Sequence, residues 1–163
     1  MPWPFTKKMT APLKMVTLPD VELSLDEQRE CQEFMTLILP PSNEGHLSVR
    51  ADLADAFKRN LLAMAMMGRA ERFAILAREN PKFRSKACEA AAKASAIYPL
   101  SIYIFDFARI LDDCGEHEQA RTMFAEFLRR HAAGSISEID ESSLKQRDLP
   151  TMVEHANGRL RAP

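Results

Sequence analysis

The residues best equipped for chemistry gather around one glycine. Cys114, His117 and Glu118 flank Gly115, and Asp112, Asp113 and Glu116 add further carboxylates to the same short stretch. His117-Glu118 forms the first half of the zinc-protease pattern HExxH, in which two histidines one helical turn apart share the metal and the glutamate takes a proton from water. Arg121 occupies the second histidine's place, so that pattern fails. Cys114 and His117 are separated by a helix break at Gly115 and have no third or fourth ligand nearby, so no metal is expected there. A Cys–His nucleophile would need a thiolate stabilised beside an imidazole. Cys31, Cys88 and Cys114 stand instead in apolar helical patterns, where burial raises a thiol's pKa. Three widely spaced cysteines without a CxxC pair read as free structural thiols of a reducing cytoplasm. The carboxylates read as a solvated turn, and five unclustered glycines form no phosphate-binding loop. The expectation is a protein with no catalytic set, no metal and no cofactor.

Composition narrows the remaining classes. The chain has 163 residues with 22 basic and 23 acidic side chains, a formal net charge of -1, which argues against a nucleic-acid partner. A chain of this size buries roughly two thirds of its unfolded surface as one domain. Its longest apolar run, Leu61 to Met67, is far short of the ~18 residues of a membrane span. The first twenty residues carry Lys7, Lys8 and Lys14 without the apolar stretch of a secretory signal, so a soluble, cytoplasmic protein without stable membrane insertion is expected.

The elements that must position any site are helices. Pro2, Pro4, Pro12 and Pro19 make residues 1–20 an irregular arm. Ser24 and Glu27 form a capping box that starts a helix, with a stripe of Leu25, Gln28, Cys31, Met35 and Ile38 widened by Phe34 and Leu37, ended by Pro40-Pro41. A second helix spans about Ser48 to Met67, with Gly68 predicted as its stop. Its Met64, Met66 and Met67 suit either core or an adaptable surface. A third runs from Arg69 to Asn80 with Phe73, Leu76 and Ala77 inward, before Pro81. A fourth, from about Phe83 to Ile97, presents Ala87, Ala90, Ala91, Ala94 and Ser95, a face small enough for close approach. Ile102, Tyr103, Ile104, Phe105 and Phe107 are predicted to cover it. Residues 101–134 then divide at Gly115 into two helices that must pack antiparallel.

Within that stretch Ile104, Phe107, Ala108 and Leu111, then Gly115, then Ala120, Phe124 and Phe127, resemble a tetratricopeptide repeat. Ala108 and Ala120 match the family's small positions at the helix crossing, and Phe124 its aromatic. Phe127 and Ala132 depart from the pattern at the exit. Residues 68–99 resemble a more degenerate unit through Ala87, Ala91, Ala94 and Pro99, with Ile75 at a position that is small in the family. Residues 24–67 are taken as a diverged pair, with a separate cap as the alternative, and residues 136–160 as a C-terminal cap. The resemblance implies an all-α stack of antiparallel helix pairs, an α-solenoid fragment, forming a single domain over residues 21–163.

It also implies a binding face lined by the first helix of each pair. Over this sequence that face would present Arg69, Arg72 and Leu76 from one unit and Ile102, Phe105, Arg109, Asp112 and Asp113 from the next. The expected function is an adaptor or chaperone holding a peptide or helix with apolar anchors and acidic residues, the latter paired by the arginines. Two alternatives remain at this point: a self-associating structural protein and, third, a small enzyme.

Overall fold

The computed structural model describes residues 21–38, 51–134 and 147–163, and within them the protein is all-α. The expected arm over 1–20, the Pro40-Pro41 stop and the segment 135–146 lie outside the described residues. The helices are α1 (Leu25–Ile38), α2 (Ala51–Glu79), a 3-10 turn (Pro81–Phe83), α3 (Arg84–Ile97), α4 (Ser101–Asp113), α5 (His117–Ala132) and α6 (Leu149–Arg161). No helix among the described residues is long and apolar enough to cross a membrane.

α1 begins at the predicted capping box. The Ser24 amide donates to Glu27 Oε1 and the Glu27 amide to Ser24 Oγ, each at 3.2 Å. The same carboxylate accepts from Lys93 Nζ on α3 at 2.7 Å, so one buried glutamate both caps α1 and fastens it to the bundle. Burial works against the charge of Glu27, but the bonds from Lys93 and Ser24 prevail and hold its pKa below the ordinary value. The predicted apolar stripe faces inward at Cys31 and Phe34 but not at Leu25 or Leu37. Leu25 and Leu37 are 79% and 85% exposed, and the inward line runs through Glu27, Cys31 and Phe34. The carboxylate takes the inward position because α3 supplies an ammonium for it.

α2 corrects the sequence reading more deeply, because it passes through Gly68 without a break. A C-terminal glycine stop needs the left-handed conformation, which Gly115 (φ 91) and Gly134 (φ 62) adopt and Gly68 does not. Glycine inside a helix costs about 1 kcal/mol relative to alanine. Packing on both sides of the position outweighs that, since Leu61, Leu62, Met66 and Ala70 all enter the same core. The helix therefore ends where proline forces it, with Asn80 Oδ1 accepting from the Lys82 amide at the 3-10 turn. The helix predicted over 69–80 is the second half of α2, and Leu76, predicted inward, is 46% exposed.

Two cores meet on α4. In the first, the small face of α3, Ala87, Ala90, Ala91 and Ala94, packs chiefly against Leu61, Leu62 and Met66 of α2, with Tyr103 and Ile110 of α4. The expectation that Ile104 and Phe105 cover the alanine face is overturned. Those residues, with Ala108 and Leu111, turn to the other side and pack against Ala120, Phe124 and Phe127 of α5 and Met152 and Ala156 of α6. Helical spacing sorts the residues: Tyr103 and Ile110 recur after two turns on one face, Ile104, Ala108 and Leu111 on another.

α4 and α5 form the antiparallel pair predicted around Gly115. α6 then lies against α5. Its N-cap Asp148 has φ 50, a conformation aspartate tolerates better than most residues, and accepts from the Thr151 amide and hydroxyl. At the other end Arg159 Nη2 donates to Asp112 Oδ1 at 2.7 Å. Its Nε lies 2.7 Å from Oδ2, at an angle that leaves it unbonded. His117 Nδ1 also meets Asp112, at 2.8 Å. Burial raises the pKa of Asp112, but Arg159 and His117 outweigh it and hold the carboxyl below its ordinary 3.8. A depressed carboxyl contributes stability above its unfolded pKa and loses it as pH falls through the folded value. Asp112→Asn is therefore expected to cost about 1–3 kcal/mol at pH 7. It should also lose less stability than wild type on acidification below pH ~4. Urea midpoints across pH test both statements.

Candidate functional site

A groove of about 440 Å³ runs between α2 and α4, lined by Asn60, Met64, Met67, Gly68 and Glu71 on one side and Ile102, Tyr103 and Asp106 on the other, with Arg147 at its edge. A larger depression of about 690 Å³ lies along α6, between His131, Leu149, Pro150 and Val153. It rests mainly on one helix. The α2–α4 groove is the stronger candidate because polar groups from separate elements converge on an apolar lining.

Its apolar part is methionine and isoleucine. Met64 is 42% exposed, whereas Met66 and Met67 are buried, so the methionine cluster divides between surface and core. Ile102 is half-buried. Its polar part is a chain of paired groups. Tyr103 Oη donates to Asn60 Oδ1 at 2.6 Å, and burial, then the neighbouring Asp106, push the phenol's pKa up, so it stays a donor. Asp106, only 6% exposed, accepts a bidentate pair from Arg147, Nη1 to Oδ2 at 2.5 Å and Nη2 to Oδ1 at 2.7 Å. Those bonds raise the pKa of Arg147 further and keep it fully charged. Arg109 Nη2 lies 3.5 Å from Asp106 Oδ1 and 2.5 Å from Glu71 Oε1, which ties α4 to α2. Two carboxylates and two guanidiniums leave this part of the groove close to neutral.

The residues predicted for a binding face are scattered by the fold. Ile102 lines the groove and Arg109 joins its polar chain. Phe105 does neither: it is 4% exposed, with its ring 5.7 Å from Phe124, 5.2 Å from Phe127 and 5.8 Å from His155. The face it occupies is covered by α5 and α6, which removes it as a contact for a partner. Arg69 and Arg72 turn to α1 and pair with Glu30. Asp112 holds α6, Asp113 is exposed at the turn, and Leu76 is exposed away from the groove lining. The arginines predicted to receive a partner's carboxylates are thus already matched by the chain's own.

Sequence reasoning missed Asn60, Tyr103, Asp106 and Arg147. Asp106 carried a signal, since a carboxylate set among Ile102, Tyr103, Ile104, Phe105 and Phe107 is costly to bury without a cation. Nothing in local spacing points to Arg147, which lies 41 positions away.

The thiols are structural in character. Burial pushes Cys31 up to about 11 and Cys88 up to about 12, and raises Cys114 as well. All three are free. Among the described residues no group of three or more His, Cys, Asp or Glu is placed to hold a metal ion. No family model, no curated protein and no solved structure matches the chain.

Proposed function

We propose that this chain is a protein-binding scaffold of tetratricopeptide-like helix pairs that receives an amphipathic segment of a partner protein in the groove between α2 and α4. The role is that of an adaptor or chaperone, without catalysis of its own. The observation that carries the reading is the groove: an exposed Met64 and a half-buried Ile102 beside a polar chain that is already paired. Thioether side chains adapt to many apolar shapes, which suits a surface that receives a segment rather than a fixed small molecule. The pairing of helices supports the repeat reading. Ala108 and Ala120 are fully packed where α4 and α5 cross, and Phe124 is buried beside them.

Apolar anchors supply the affinity. A partner's carboxylates would have to compete with Glu30, Glu71 and Asp106 for Arg69, Arg72, Arg109 and Arg147, so acidic residues add selectivity at most. The test is affinity capture from the protein's own host with wild type, Met64→Glu and, as a control on the exposed surface of α5, Ala125→Glu. Met64→Glu is expected to weaken capture of the principal partner by about tenfold or more, as burial of a charge against an anchor does. Ala125→Glu should leave it unchanged. Equal capture by all three proteins would remove the groove from the binding role.

A further inference from the structure

A second surface lies on the other flank of α2. Phe73 and Phe83 stack with ring centroids 5.9 Å apart and planes 16° from parallel. Lys86 Nζ lies 5.7 Å from both centroids, and Lys82 Nζ lies 5.3 Å from that of Phe83. Arg69 covers Phe73 at 5.0 Å, but Glu30 already engages its guanidinium. Two exposed ammonium groups therefore converge on one aromatic ring, and among the described residues neither has a carboxylate partner. Arg78 and Arg84 nearby have none either. This contrasts with Arg69, Lys93, Arg109, Arg129, Arg130, Arg147 and Arg159, each of which is paired.

The convergence is electrostatically unfinished. A ring quadrupole attracts each ammonium, but like charges brought to the same ring repel one another. The first turn of α3 carries no acidic residue, so the helix dipole adds to the positive field. Carboxylates set against Lys82 and Lys86 would relieve the repulsion, and an apolar side chain beside them would cover the exposed edge of the stacked rings.

We propose that the edge formed by Phe73, Phe83, Lys82 and Lys86 docks a short acidic segment of a protein, with carboxylates on the two ammonium groups and an apolar residue against the rings. Charge complementarity selects this occupant over a nucleic acid. A polyanion needs an extended basic track. Here Arg84 borders the turn bearing Asp113 and Glu116, since all three act on the Cys114 thiol, and those exposed carboxylates repel a long anion. The edge is separate from the α2–α4 groove: Arg69, beside Phe73, faces α1, whereas Glu71 faces α4. The two surfaces can therefore fail independently.

The probe is a short fluorescein-labelled peptide with glutamates flanking one phenylalanine in a glycine–serine background, followed by anisotropy with the full chain. Saturable binding is expected, weakened about tenfold or more by Lys82→Glu combined with Lys86→Glu and less than about twofold by Arg161→Glu on α6. All three side chains are exposed, and circular dichroism checks that the variants fold. Absence of saturable binding overturns the proposal. So does an equal loss in Arg161→Glu, which would mean diffuse charge attraction, or tighter binding of a single-stranded oligonucleotide of equal charge that the same lysine pair abolishes.

Discussion

Phe105→Ala is expected to lower the unfolding free energy by about 3–5 kcal/mol, as truncation of a buried aromatic does. The side chain touches the rings of Phe124, Phe127 and His155, and so joins α4 to both α5 and α6. Its removal leaves a void between three helices, and rigid backbones cannot collapse into it. The loss is a large share of the about 5–15 kcal/mol available to a domain, so the variant should show a clearly lower urea midpoint. Phe105→Leu keeps most of the volume and should cost about half as much or less. The comparison separates packing from recognition. A binding residue on an open face would leave the unfolding free energy within about 0.5 kcal/mol of wild type and change only the partner's affinity. An unchanged midpoint for Phe105→Ala would contradict the burial described above.

Asp106→Ala is expected to be nearly as severe, at about 3 kcal/mol, because breaking a buried pair leaves a charge without its counterion. Asp106 is 6% exposed and holds Arg147 by two bonds, with Arg109 at longer range. Truncation strands the Arg147 guanidinium at the edge of the groove. Arg109 keeps Glu71 and suffers less. Arg147 is one third exposed, which lets water recover part of the loss and places the value at the lower end of the range for buried pairs. If the stranded charge is the cause, removing it as well should restore stability. Asp106→Leu combined with Arg147→Met is expected to regain most of what Asp106→Ala loses, since apolar replacement of a buried pair is often neutral. A double variant no more stable than the single one would place the cost in the packing of α4 instead. Both proteins are compared by equilibrium urea unfolding at pH 7.

What the sequence determined by itself was local. The Ser24–Glu27 box, the end of α2 before Pro81 and the turn at Gly115 are each specified within one or two helical turns. Steric limits on proline and glycine, and the reach of a side chain to a nearby amide, do not depend on the rest of the fold. Phe124, placed by the tetratricopeptide resemblance at an aromatic position, and Phe127, a departure from that pattern, are both fully buried. Where two local signals conflicted, tertiary structure decided. Gly68 reads as a stop, yet packing before and after it carries α2 through. Leu25 and Glu27 compete for the inward side of α1, and Lys93, 66 positions away, gives that side to the glutamate. The candidate site was the least legible part for the same reason. α4 is apolar nearly all round, so periodicity could not say which face would be covered: α5 and α6 claimed Phe105, and the groove kept Ile102. Pairing of Asp106 with Arg147, and of Arg109 with Glu71, depends on distances between helices that no local pattern encodes. Among the described residues the sequence marked the helical segments and, apart from the stop read at Gly68, their breaks; only their packing determined which side chains remain available to a partner.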